Sequence, residues 1–194
     1  MVEKEKVMKK YEFTDKVKYI YGAVLHRIRN IKTGVLGGWV ESEKNLSQTG
    51  KSWVSDNAQV YGDAEVYGNA QVYDNAQVSG HTLVFGDALV FGNAQVSGDA
   101  QAFGNAQVSG NALVYSDARV SGNAWVYGNA RVSGNAQVSG HTLVFGNAWV
   151  YGDAQVSDDA WVSDDAQVSG NARVSDDAQV SGNAQVSGNA RVSG

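Results

Sequence analysis

The sequence predicts an all-β solenoid, a triangular coil of short parallel strands entered through a β-rich cap. Three observations carry this prediction. From Val54 to Val192 every sixth residue is Val except Ala102, which makes 23 Val in 24 positions. Two residues before each Val, from Ala58 to Ala190, stands Ala, with Thr82 and Thr142 as the exceptions. The chain has no Pro and 23 Gly, which suits strands whose ladder donors are all needed and corners that favour a residue without Cβ. Self-similarity at a short fixed period means stacked units and overrides the domain count that 194 residues would otherwise suggest.

Taken in order, Met1–Lys10 is a charged start expected to be frayed. Tyr11–Asp15 and Lys16–Tyr21 mix aromatic, β-branched and Lys residues and read as short strands, punctuated by Gly22. Ala23–Ile31 reads as a further strand, although neither Leu25, Arg27, Arg29 nor Val24, His26, Ile28, Asn30 makes a purely apolar face. Thr33–Gly38, with three Gly, reads as a turn; Trp39-Val40 opens another strand, and Glu41–Lys51 is polar. Residues 1–51 are expected to cap the first coil of a repeat domain over residues 52–194.

In the repeat, Ala and Val share parity on a short strand and point the same way, which must be inward. The next pair, typically Gly-Asn or Gly-Asp, turns the corner, because Gly, Asn and Asp tolerate positive φ. Three strands and three corners make a coil of 18 residues, so 24 positions supply about eight coils, on the order of 38 Å tall at about 4.8 Å per coil. Each buried Val contributes ~1.5–3 kcal/mol before conformational entropy is counted.

A tandem hexapeptide with an aliphatic residue and a small residue two positions earlier resembles the single-stranded left-handed parallel β-helix, the fold of the trimeric hexapeptide-repeat acyltransferases. The left hand is implied by this resemblance and runs against the usual crossover rule. The junction Leu36-Gly-Gly-Trp-Val-Glu41, Glu43-Lys-Asn-Leu-Ser47, Ser52-Trp-Val54, with His26-Arg27-Ile28-Arg29, is similar to hexapeptide-repeat proteins of phages and gut bacteria and to an enterobacterial protein named as an acyltransferase. The resemblance covers nearly the whole chain and speaks to fold more than to activity.

The absence of Cys removes disulfides, thiolate metal sites and a Cys nucleophile. No signal-like apolar stretch or membrane-length run occurs, so a soluble protein of the cytoplasm, bacterial or of a phage-infected host, is expected. Residues 1–51 carry a balance of +5 and residues 52–194 one of −10. An acidic solenoid with four Arg argues against long nucleic acid as a partner. The basic start and the acidic repeat, with the last coil ending in the repeat at Gly194, suggest end-to-end contact between copies.

Outward residues should stack in columns 18 apart. One face collects Leu89, Phe91, Trp125, Tyr127, Leu143, Phe145 and Trp161. Such a column marks an interface, and the resemblance implies a homo-oligomer with a trimer favoured. Cross-strand aromatic ladders are the structural alternative, and a surface that stacks sugars or bases is another. His81 and His141 head two identical His-Thr-Leu-Val-Phe-Gly units. His81 falls between Asp63 and Asp99 in its column, and His141 between Asn123 and Asp159. Either is a weak candidate for a general base, and the relatives implied by the resemblance use a His. The simpler reading is a corner substitute, since His joins Asn and Asp in tolerating the left-handed region. Asp158, Asp159, Asp176 and Asp177 occupy one corner one coil apart; they are weak candidates for a hard cation, with corner solvation as the plainer explanation. No zinc or phosphate-loop signature is present, and the outward Gln and Ser lack the Thr ranks of an ice-binding face.

The expected function is therefore a non-enzymatic scaffold or binding protein that self-associates through its aromatic face, without a cofactor. The alternatives are an acyltransferase using a CoA thioester, and a phage-type accessory protein that sequesters a small metabolite or nucleotide signal between protomers. The uninterrupted repeat has none of the inserted loops that the resemblance implies for acyl-donor binding.

Overall fold

A computed structural model describes residues 8–194. Three parallel sheets form the walls of a β-solenoid with 18 residues per turn and about nine turns. Most of its strands are two residues long, x-Val, as in Gln71–Val72 and Leu89–Val90. Val54 pairs with Val72, Val72 with Val90 and Val90 with Val108, so every inward Val stands on another one turn away. The ladder also runs around the corners, where Asn57 N–H donates to Asp74 O at 2.8 Å. Val and Ala from Val54 to Val174 are fully buried. Thr82 and Thr142 fit the Ala column because each hydroxyl donates to the carbonyl three residues back, Ser79 O at 2.7 Å and Ser139 O, which satisfies a polar group that would otherwise be costly inside. At the far end Val186 and Val192 are only partly covered.

The cap departs from the sequence reading in several places. Its first two expected strands are one, β1 (Tyr11–Ile20), with an irregularity between Phe13 and Val17. β1 turns through Tyr21 and Gly22, both at positive φ (47° and 87°), into antiparallel β2 (Ala23–Asn30). Two successive positive φ values match the twist of a two-residue hairpin. Leu25 and Ile28 are both buried despite opposite parity, because the register on β3 (Leu36–Val40) shifts between Arg27 and Arg29. The expected turn at Thr33–Gly38 ends earlier: only Gly34 has positive φ, 74°, and Gly37 and Gly38 lie within β3. These two glycines serve close approach. A Cβ on Gly37 would lie 2.6 Å from Ile28 Cγ1, and one on Gly38 would lie 2.7 Å from Ala58 O.

β3 pairs antiparallel with β2 and parallel with Gln59–Val60, which splices the hairpin onto one wall of the solenoid. Val40 pairs with Val60 and Leu46 bridges to Val66, each 20 residues away, before the 18-residue register begins at Val54–Val72. Residues 36–51 thus lay down a first turn two residues longer than the rest, which is why the solenoid has about nine turns where the Val positions alone suggest eight. The polar segment Glu41–Lys51 hides part of this turn. Asn45, in the 3-10 turn Glu43–Asn45, is buried, and its amide donates to Gly62 O and Ala64 O, both at 2.9 Å. The buried Tyr11 hydroxyl donates to Leu46 O at 2.8 Å. Of the expected frayed start, residues 1–7 lie outside the described part. Lys9 pairs with Glu43, and Lys10 N–H donates to Gln48 Oε1 at 2.8 Å, so the last two residues are tied down. No helix among the described residues is long and apolar enough to cross a membrane.

Candidate functional site

The inward positions are nearly invariant, so any site lies on the corners, the outward faces or the cap. Each corner needs one residue in the left-handed region, and it is always the first of the pair: Gly in most turns, otherwise Asp56, Asp74, Ser116, Asp158, Asp164 or Asp176, at φ of 55° to 61°. The second residue is a rung. Asn57 donates to Asn75, Asn75 to Asn93, Asn93 to Asn111, Asn111 to Asn129, Asn129 to Asn147 and Asn147 to Asp165, over 2.9 to 3.3 Å. An amide suits this place because its NH₂ donates toward one neighbour while its carbonyl oxygen accepts from the other.

The two histidines are rungs of this kind. His81 and His141 follow Gly80 and Gly140, which carry the positive φ (74° and 78°). The explanation of His as a left-handed corner residue is therefore corrected: Gly takes the strained position and His replaces Asn. His81 Nδ1 lies 3.5 Å from Asp63 Oδ2. His141 Nδ1 lies 3.5 Å from Asp159 Oδ1, and its Nε2 is 2.9 Å from Asn123 Nδ2. Both rings are about two-thirds exposed (68%) on different corners, and the structure does not bring them together. Asp63 also pairs with Lys44. That hydrogen bond, then the Lys44 charge, holds its carboxyl below the usual carboxylate range, with His81 adding a smaller pull.

Asp158 and Asp176 stack at one corner, with Asp159 and Asp177 beside them. The Asp158 carboxylate accepts from Ser157 Oγ at 2.8 Å and from Asp176 N–H at 3.5 Å. The same device recurs at Asp74, which accepts from Gly92 N–H at 3.1 Å, and at Asp164, which accepts from Gly182 N–H at 3.0 Å. A left-handed Asp thus serves the backbone of the next turn. Among the described residues, no three His or acidic side chains gather closely enough to hold a metal ion.

Leu89, Trp125, Leu143 and Trp161 align on one eight-stranded sheet in the column Leu89–Gln107–Trp125–Leu143–Trp161. Phe91, Tyr127 and Phe145 flank it and stack: Tyr73 on Phe91 at 4.9 Å, and Tyr127 on Phe145 at 5.0 Å between ring centres. Stacking half-buries these rings, and burial raises the phenols of Tyr73 and Tyr127. Gln107 and Ser109 separate the Phe91 island from the larger one, which starts at Trp125. That indole reaches back across the gap, Nε1 donating to Ser109 Oγ at 2.9 Å. Trp125 and Trp161 stay 37% and 43% exposed. Two further clusters lie off this face. Tyr67, Phe85 and Phe103 stack continuously on a second sheet. Trp149 leans on Tyr151 and bonds Ser133, beside a shallow groove of about 300 Å³ lined by Arg131, Asn147 and Asp165.

The cap holds a feature that the sequence reading missed. Two cavities of about 450 and 520 Å³ share Lys10, Asn30 and Thr33 as lining residues. The first extends to Val35, Lys51 and Trp53, and the second to Lys9, Ile31 and Lys32. Its signal in the sequence was the basic balance of residues 1–51, but Lys10 and Ser52 are too far apart along the chain for spacing to unite them.

A family model described as the YdcK beta solenoid repeat matches residues 58–74, 106–122, 118–134, 124–140, 136–152, 166–182 and 184–194, together just under half of the chain. The overlapping matches start 6 or 12 residues apart, so they slide along the array in whole hexapeptides. No curated protein matches the chain. The chain is a β-solenoid repeat protein of the hexapeptide kind.

Proposed function

We propose that this β-solenoid is a non-enzymatic scaffold that self-associates side by side, as a homo-oligomer with a trimer favoured, through the face carrying Trp125, Tyr127, Leu143, Phe145 and Trp161. One observation carries the reading: two indoles more than a third exposed flank Leu143 on a flat sheet, giving an apolar strip across three successive turns. Apolar strips of this kind on soluble proteins mark contacts, and Trp is enriched where contacts are strongest. The charge balance, +5 over residues 1–51 and −10 over residues 52–194, supports a second contact between the cap of one copy and the acidic repeat of another, weakened as salt rises.

Native mass spectrometry with light scattering tests the proposal. The Trp125→Gln/Trp161→Gln variant preserves the fold, because Gln71, Gln107 and Gln179 already occupy the same column. The wild-type chain is expected to be oligomeric and the variant monomeric. A monomeric wild type, or an oligomer that the variant leaves intact, rules out this face. Turnover of acetyl-CoA abolished by His81→Ala or His141→Ala would replace the scaffold reading with acyl transfer.

A further inference from the structure

The cap cleft is basic, partly desolvated and without acid. Lys10, at the start of β1, is half-buried, and its ammonium donates to Ser52 O at 2.7 Å and Ser52 Oγ at 3.2 Å. Those are its only partners among the described residues, and neither is a carboxylate. Lys9 and Arg29, by contrast, pair with Glu43 and Glu12. Burial without an opposing charge pushes the Lys10 amine down to about 8. No acidic side chain lines either cavity, whereas Lys9, Lys10, Lys32 and Lys51 do. The walls are preformed. Lys10 is held from both sides, its N–H on Gln48 Oε1 at 2.8 Å and its carbonyl accepting from Ile31 N–H at 3.1 Å. The β2–β3 turn is fixed by Asn30 Oδ1, which accepts from Lys32 N–H at 2.9 Å and Thr33 N–H at 3.0 Å. Trp53 is set edge-on against buried Tyr11 at 6.4 Å between ring centres. A volume of about 450 Å³ falls within the range of small-molecule pockets.

We propose that this cleft binds a small organic anion, its carboxylate or phosphate on Lys10 and Lys51 and a flat apolar body against Trp53 and Val35. The anion supplies the opposing charge that Lys10 lacks, and a partly desolvated ammonium gains more from it than an exposed one does. Trp53 and Val35 give the body a wall that inorganic ions cannot use. The site lies outside the aromatic face and does not depend on oligomerisation.

Calorimetric titration with benzoate, phenyl phosphate, inorganic phosphate and phenol tests each part. One of the two aromatic anions is expected to bind saturably, one per chain, and which one does so distinguishes a carboxylate from a phosphate site. Inorganic phosphate and phenol should bind at least about tenfold more weakly. Lys10→Met should lower the affinity by about tenfold or more, while Lys16→Met leaves it unchanged. In the unmutated chain at pH 8, acetylation of Lys10 followed by mass spectrometry should slow on saturation with the ligand. That measurement remains available if Lys10→Met fails to fold. The proposal is overturned by any of three results: no saturable binding of either aromatic anion up to about 10 mM, equal binding of phenol or inorganic phosphate, or Lys10 acetylation that the ligand does not slow.

Discussion

Replacing Gly38 with Ala should loosen the cap from the solenoid while the repeat stays folded. The new Cβ would lie 2.5 Å from Val54 Cγ1, 2.7 Å from Ala58 O and 3.1 Å from Ser55 O. Ordinary carbon–oxygen and carbon–carbon contacts are about 3.3–4.0 Å, so β3 must retreat by roughly 1 Å. Val54 cannot yield, since it is fully buried in the stacked column. The Ala58 carbonyl cannot yield either, since it accepts from Trp39 N–H at 2.9 Å. A retreat of that size stretches this bond beyond hydrogen-bonding range and weakens its neighbour, Glu41 N–H to Val60 O at 3.1 Å. Overpacking costs about 1–3 kcal/mol and each lost bond about 1 kcal/mol, so the local penalty is about 3–4 kcal/mol. Hydrogen exchange read by mass spectrometry should show β1–β3 exchanging faster, with the turns beyond Val72 unchanged. Gly34→Ala is the control. It meets nothing within 4 Å and carries only the strain of φ at 74°, about 1–2 kcal/mol confined to the turn. Unaltered protection of β1–β3 in Gly38→Ala would show that β3 does not approach the solenoid this closely and would refute the argument.

Tyr11→Phe removes the hydroxyl bonds to Leu46 O (2.8 Å) and Glu43 O (3.3 Å) and should cost about 1–2 kcal/mol, read by urea unfolding. Burial first, and then the charge of Glu43, raises this phenol above its ordinary value of 10.0. Above pH 10 the unfolded chain therefore loses a proton that the folded chain keeps, and stability should fall with rising pH there in the wild type but not in Tyr11→Phe. Lys10 acts in the opposite sense. Its folded value is about 8 against 10.5 unfolded, so between these pH values the folded chain binds fewer protons and stability should rise, a slope that Lys10→Met removes. In Lys44→Met, NMR titration should find the Asp63 carboxyl back toward its ordinary 3.8, since the Lys44 hydrogen bond is the largest cause of its depression. The stabilisation that depression represents is present above that value and is lost as pH falls through the lower folded one.

The inward pattern was legible because it is local. Ala and Val two residues apart on a strand share a side, and an 18-residue coil then sets Val on Val without reference to anything distant. The columns of His81, His141 and the Asp-Asp corners could be placed by the same arithmetic, as could the face that holds Trp125 and Trp161. The arithmetic could not show which corner residue takes the left-handed conformation. Nor could it show that the Trp125 indole leans back to Ser109 or that the rings half-cover one another by stacking, since side-chain direction is decided by the neighbouring turn. At the cap the period itself breaks. Val40 and Leu46 meet partners 20 residues on, and Gly37 and Gly38, read locally, look like a turn. Their role appears only when another backbone lies against them. The same holds for Lys10 and Ser52: composition recorded a basic start, but only the folding of β1 across the first turn sets that amine, without a carboxylate, in a cleft. A repeat states its geometry relative to itself. The sequence alone therefore determined the solenoid, its inward residues and its outward columns. Tertiary structure decided how a non-repeating cap approaches that solenoid, because the approach depends on close packing between segments that share no period.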